Sequence, residues 1–266
     1  MDEVAHYNIK RWKALAEANA LFTRPYLDLD AAAAHAKLDP EGRLGDLKDK
    51  TVLCLAGGGG QQSVAFTLLG AQVTVIDLSE EQLQRDREAA AHYQFNVETY
   101  QADMRHFAHL VTQRFDVVWQ PYALNFVPDA RAVFQEVANV LRPGGLYRFS
   151  CANPFFSGLS ERDWNGTGYL LKSPYQEGAA TTYPDQPWVA DASTPIPQPR
   201  EYRHTLSTLV NGLLEQSFVI QHLSDSTDFY PDANAEPGTW DHFTAIAPPW
   251  LTFWTLYQPK SKGVVS

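Results

Sequence analysis

The sequence predicts an α/β fold built on a doubly wound, mostly parallel sheet. Three observations predict it. Residues 51–55 (TVLCL) are a short apolar run, the pattern of a strand buried on both faces. Gly57 to Gly60 follow directly after Ala56 and open a helical stretch at 62–70. A second strand pattern at 72–76 ends in Asp77, and strands and helices keep alternating to residue 151. Ligands bind such sheets outside the carboxyl ends of the strands. The glycine turn, Asp77, Asp103 and residues 120–122 are therefore expected in one crevice. Glycines let a ligand approach the backbone closely, and the new helix aims its free N–H groups at the turn. An acid at the tip of the next strand suits the two hydroxyls of a ribose. A nucleoside-containing cofactor is expected.

The elements follow in order. Residues 3–38 read as helical pieces, with Ile9, Trp12, Leu15 and Ala16 on one face. Arg24-Pro25 ends the first piece, and Asp30 caps the alanine-rich run 31–37. This segment is either an amphipathic helix packed on the body or a lid that brings Tyr7, Trp12, Phe22 and Tyr26 over the cofactor. In the second reading Arg24 pairs with a ligand carboxylate. Ser79-Glu80-Glu81-Gln82 is a capping-box pattern starting a helix to residue 93, whose Glu/Arg-rich face reads as solvated surface. Strands are expected at 97–101 and 115–119. Asp129 caps a helix over 130–141, and Arg142-Pro143-Gly144-Gly145 turns into a fifth strand at 146–151.

Residues 152–204 change in composition. Seven prolines fall between Pro154 and Pro199, with Trp164, Tyr169, Tyr175, Tyr183 and Trp188 among them and Tyr202 just beyond. The segment is too long for a plain connection and starts at the crevice rim. It is either a shielding flap or a substrate cap, since aromatic rings line much of small-ligand pockets. Short strands are expected at 169–172 and 201–203. A helix at 206–216, a strand at 218–223, a polar loop at 225–249 and a last strand at 250–257 complete the chain.

At 266 residues the chain can bury a full core. Its formal charge of −10 weighs against nucleic acid as a partner. No apolar stretch is long enough to span a membrane, and the polar start is unlike a signal peptide. Two cysteines, Cys54 and Cys151, fall in core strands and read as buried thiols of a reducing, cytoplasmic compartment. No zinc or other metal site is expected.

From about residue 48 to 152 the chain resembles a class I S-adenosylmethionine-dependent methyltransferase of the small-molecule branch, similar to the ubiquinone/menaquinone-biosynthesis type. VLCLAGGGG resembles that family's glycine motif, VTVIDLS its ribose-binding strand, QADM its adenine clamp, and DVVWQPYALNFVPD with LRPGG its fourth strand, helix and following turn. The dinucleotide pattern of nicotinamide enzymes fits less well, because Gly57-x-Gly59 leads to Gln62 rather than Gly or Ala. The resemblance implies a seven-stranded Rossmann-like methyltransferase sheet with its last strand antiparallel at or near the edge. It divides the chain into a helical lid (1–45), a cofactor-binding core (46–151), an inserted cap (152–204) and a C-terminal part of the sheet (205–266).

The resemblance also implies S-adenosylmethionine as cofactor, S-adenosylhomocysteine as product and a small-molecule acceptor. Ala56, Gly57, Gly58 and Gly60 carry over to the glycine loop, Asp77 and Leu78 to the ribose, and Asp103 and Met104 to the adenine. Gln120, Trp12 and Arg24 are further cofactor contacts. Tyr7, Tyr26, Trp164, Tyr169 and Tyr202 are assigned to the substrate. The family's usual acid is replaced by Cys54 and its first glycine by Ala56, so the loop needs compensation, for which Gln120, Arg24 and the loop backbone are candidates. Methyl transfer needs near-attack geometry more than a catalytic signature. Where the acceptor must lose a proton, His204 is the first candidate base, unless it simply packs against the next helix. Tyr122 and Asn125 are placed to touch the acceptor or the methyl group. A non-catalytic cofactor-binding protein and a protein or RNA methyltransferase are the alternatives.

Overall fold

The computed structural model describes residues 1–182, 195–225 and 230–260. The expected Tyr183 and Trp188 of the cap lie outside them. Seven strands form one sheet: β1 (Thr51–Leu55), β2 (Gln72–Asp77), β3 (Glu98–Gln101), β4 (Phe115–Gln120), β5 (Leu141–Ala152), β8 (Phe218–Ser224) and β9 (Trp250–Tyr257). Two short strands, β6 (Ala180–Thr182) and β7 (Arg200–Tyr202), pair separately as an antiparallel hairpin. The sheet order is β3-β2-β1-β4-β5-β9-β8. The first five strands run parallel, and β9 is antiparallel to both β5 and β8.

β1 alternates its side chains between two cores, as a central strand must. Leu53 and Leu55 join Ile76, Val118, Tyr147 and Phe149 on one face. Helices α5 (Ala130–Val140) and α6 (Leu206–Glu215) cover that face with Val133, Phe134, Val137, Leu209 and Leu213. Val52 and Cys54 join Val73, Val75, Val117 and Trp119 on the other face. There α2 (Ala31–Leu38) and α3 (Gln62–Leu68) bring Ala34, Leu38, Ala65 and Phe66, and α4 (Glu80–Tyr93) brings Leu83. Both cysteines are buried free thiols. Capping signals hold where the sequence places them: Asp30, Ser79 and Asp129 accept from Ala33, Gln82 and Ala132 N–H respectively.

Four expectations are corrected. Helix α1 (Glu3–Glu17) buries Ala5, Asn8, Arg11, Leu15 and Ala16, leaving Ile9 only half-buried. Its inward stripe carries polar groups because Asn8 donates to the Phe126 carbonyl and Arg11 to that of Pro197. β5 begins at Leu141, since Leu141 already pairs with Phe115 across an irregularity in register. Residues 169–172 form no strand; Tyr169 makes one bridge to Trp164. The polar loop 225–249 contains a helix, α7 (Trp240–Ile246), capped by Thr239. Its Phe243 and Ala247 join Leu159, Phe156 and Tyr169 in a small core of the cap's own. Among the described residues no helix is long and apolar enough to cross a membrane.

The α5–α6 contact is close because Gly212 has no side chain: a Cβ there would meet the Phe134 ring at 3.0 Å. Gly212→Val should destabilise the protein by roughly 1–3 kcal/mol through overpacking. Urea denaturation checks this, and an unchanged midpoint would show that the helices can move apart freely.

Candidate functional site

A cavity of about 840 Å³ opens at the carboxyl ends of β1, β2 and β4. The glycine turn forms one wall. Ala56 holds a left-handed backbone (φ +49°), unfavourable for a residue with a Cβ, and its N–H donates to the Ile76 carbonyl at 2.7 Å. Gly58 N–H donates to Asp77 Oδ2 at 3.0 Å, and Ser79 N–H to Asp77 Oδ1 at 2.8 Å. A Cβ on Gly58 would lie 2.8 Å from Gln82 Cβ and 3.0 Å from the Asp77 carboxylate. Glycine here is what lets the loop reach that acid. Burial pushes the Asp77 carboxyl up, and the backbone hydrogen bonds from Ser79 and Gly58 oppose it.

A second carboxylate holds the same turn. Asp86 is fully buried on α4 and accepts from Gly59 N–H at 2.9 Å, Gly60 N–H at 3.0 Å and the Ser63 hydroxyl at 2.5 Å. Burial drives its carboxyl up to about 7 against those hydrogen bonds, and the Asp77 charge adds to the rise. The sequence reading of α4 as solvated surface missed this residue. The signal was a lone acid on the inward stripe Leu83, Asp86, Ala90. Asp86 thus fastens the turn from helix α4, whereas position 54 of β1 carries no acid.

Ten of the expected site residues line the cavity: Ala56, Gly57, Gly58, Asp77, Leu78, Asp103, Met104, Tyr122, Trp12 and Tyr26. Asp103 is engaged by Arg105, whose guanidinium donates to it at 2.6 and 3.0 Å and also donates twice to Asp2, the N-cap of α1. Trp12 of α1 meets Phe126 edge-on at 5.7 Å. Tyr122 donates to Glu201 Oε2 at 2.7 Å.

The remaining nine are not brought to the cavity wall. Gly60 packs beneath α4, where a Cβ would strike Pro25 at 2.8 Å and Ala89 at 2.9 Å. Gln120 is buried, donating to Met104 sulfur at 3.3 Å and accepting from the Tyr147 hydroxyl. Arg24 donates to the Asn19 carbonyl, and the Tyr7 hydroxyl to the Gln198 carbonyl. Asn125 ties the cap to the sheet, donating to the Tyr202 carbonyl and accepting from Ala152 N–H. Trp164 and Tyr169 pack on His242, and the Tyr202 backbone belongs to the β6–β7 ladder. His204 is buried, with Nδ1 3.0 Å from Glu177 and Nε2 3.2 Å from the Leu124 carbonyl. It fastens the cap rather than facing the cavity. Lining residues that the sequence reading did not single out include Glu201, Arg148, Phe126, Phe243, Trp250 and Trp254.

Known proteins share sequence and fold with this chain. Residues 53–149 match a methyltransferase domain family. The methyltransferase YbaJ of Bacillus subtilis (strain 168) is 29% identical over 188 residues, covering 70% of each chain. A protein of Serratia proteamaculans (strain 568) named ubiquinone biosynthesis O-methyltransferase is 38% identical over 111 residues, 42% of this chain and 46% of that protein. The chain thus spans about half the length of that relative. A crystal structure of an S-adenosylmethionine-dependent methyltransferase from Mesorhizobium loti aligns with a TM-score of 0.60 at 22% identity, over 87% of this chain and 100% of the other. That likeness is one of fold.

The Asp86 carboxyl gives a test of the turn. Its folded value of about 7 lies above the unfolded value of about 3.9, so between them the native state keeps a proton the unfolded state has released. Stability from this group is full below about pH 4 and lost as pH rises toward 7. Urea denaturation at about pH 5 and about pH 8 should show wild type losing more stability over that rise than Asp86→Asn. Equal losses would show that Asp86 does not titrate there.

Proposed function

The chain belongs to the class I S-adenosylmethionine-dependent methyltransferases, and from that premise we propose that it methylates a hydroxyl oxygen of a small aromatic compound. S-adenosylmethionine is its cofactor and supplies a methyl group activated by a sulfonium. Asp77 is assigned to the ribose hydroxyls, Asp103 and Met104 to the adenine, and the Ala56–Gly58 backbone to the methionine portion. The fit is supported by the cradle at Gly58, where a Cβ would close the approach to Asp77. Trp12 and Tyr26 of the proposed lid (1–45) and Phe156, Leu159 and Glu201 from the proposed cap (152–204) line the cavity beside the core (46–151). α7, from the C-terminal part (205–266), packs with the cap.

One observation carries the reading. The same cavity that holds Asp77 continues to the rings of Tyr122, Phe126, Trp240, Phe243 and Trp250. Its 840 Å³ falls in the upper part of the about 300–1,000 Å³ typical of small-ligand sites, which suits two ligands side by side. Oxygen is favoured because the Serratia relative is named an O-methyltransferase. A formal charge of −10 argues against a nucleic-acid acceptor, and the buried thiols suit the cytoplasm. The chain's own work is to hold the acceptor in line with the methyl group and to exclude water.

Calorimetry with S-adenosylhomocysteine should show saturable binding, weakened by roughly 1–3 kcal/mol in Asp77→Ala through loss of charge-assisted hydrogen bonds. Radiolabelled methyl should pass from S-adenosylmethionine to members of a panel of phenols and catechols. Absence of cofactor binding by folded protein would overturn the reading, and undiminished binding by Asp77→Ala would remove that residue from the site.

A further inference from the structure

We propose that Glu201, acting with Tyr122, accepts the proton of the acceptor hydroxyl. The inference rests on the phenolic reading above and supplies the base that His204, turned away from the cavity, does not. Tyr122 leaves the carboxyl end of β4, and its hydroxyl donates to Glu201 Oε2 at 2.7 Å. Both residues line the cavity. Glu201 comes from the cap, at the middle of β7, and is only 3% exposed. A carboxylate so buried is costly unless opposed by a partner and useful where a proton must be taken.

The groups that face it come from other elements. Tyr122 approaches from the loop after β4, and the buried Arg11 acts on it from α1. On its own hairpin, Arg200 pairs with Glu3 and lies over the Tyr7 ring. Arg203 donates to the carbonyls of Ser157, Ser173 and Pro174. Tyr122 is held edge-on between Phe126 at 6.1 Å and Trp250 at 6.4 Å. Those rings are the surface against which a planar acceptor lies.

The step balances. The acceptor O–H proton passes to the Tyr122 oxygen while the Tyr122 proton moves to Glu201 Oε2. The freed oxygen pair forms the new bond to the methyl carbon, and the pair of the breaking carbon–sulfur bond stays on sulfur. The sulfonium charge and the Glu201 charge disappear together.

Wild type and Glu201→Gln, both verified to bind S-adenosylhomocysteine, are compared on catechol and on 4-nitrocatechol, which is ionised near pH 8 unaided. The rate on catechol should fall on the order of 10²-fold in the variant, and that on 4-nitrocatechol by less than about threefold. Tyr122→Phe should show the same dependence on acceptor acidity. Apart from turnover, calorimetry in two buffers of different ionisation enthalpy follows 4-nitrocatechol binding to the S-adenosylhomocysteine complex. Wild type should take up about one proton per ligand and Glu201→Gln close to none. Equal losses of rate on both acceptors, or equal proton uptake, would overturn the assignment. Failure to bind S-adenosylhomocysteine defeats the cofactor reading itself. Binding without catechol turnover and without proton uptake defeats this assignment alone.

Discussion

The glycine turn is held by two carboxylates, and the rest of the site depends on them. Asp77 and Asp86 accept the N–H groups of Gly58, Gly59 and Gly60 in sequence. A buried backbone donor left without an acceptor would cost about 1–3 kcal/mol. Of the three, only Gly59 has a second acceptor among the described residues, the Gln82 carbonyl at 3.2 Å. Burial above all, with the nearby Asp77 charge adding to it, is why Asp86 resists ionisation. The turn is thus fixed by hydrogen bonds that keep the acids, in surroundings that favour a proton on one of them. Ala56 adds its left-handed backbone to the cost. The Ala56 N–H bond to Ile76 and the three bonds to Asp86 offset it.

Much of the sheet was legible because buried strands leave a simple trace. Leu53 and Leu55 face one core and Val52 and Cys54 the other, so β1 had to be apolar throughout. β9 was fixed to the residue by its eight-residue aromatic and apolar run, Trp250–Tyr257. The two acids at the strand ends were legible for the same reason: Asp77 closes β2 and Asp103 follows β3, and strand ends are readable. Side chains that depend on contacts far along the chain were not. Arg24 and Tyr7 end on the carbonyls of Asn19 and Gln198, partners that no local pattern announces.

The cap shows the limit most clearly. Its core joins Leu159 and Phe156 to Phe243 and Ala247, residues some eighty positions apart with the β6–β7 hairpin, α6 and β8 between them. Neither segment buries enough apolar surface to declare itself, and α7 has only seven residues. Short helices are stabilised by tertiary packing more than by propensity, so its sequence reads as loop. Glu201 was hidden likewise. In a three-residue strand the alternation that turns Glu201 inward, with Arg200 and Tyr202 only half-buried, is too brief to read as a pattern.

The N-terminal helix is tied to the loop after β3 by one cation. Arg105 bonds Asp103 and Asp2 at once, so the acid past β3 and the N-cap of α1 share a guanidinium. That pairing holds Arg105 more firmly protonated than usual, through its hydrogen bonds to Asp103 and then to Asp2. It also drives the Asp2 carboxyl far down. Asp2 itself is largely exposed, so solvent screens much of this attraction, and the helix keeps its place chiefly through Leu15, Asn8 and the Trp12–Phe126 contact. Phe126 in turn packs on Tyr122. The N-terminal helix, the loop after β4 and β9 therefore meet at one cluster of rings, which the cap joins through the Tyr122–Glu201 hydrogen bond. A displacement of α1 bears both on these rings and, through Arg85 of α4 on the Ala16 carbonyl, on the helix whose Asp86 holds the glycine turn.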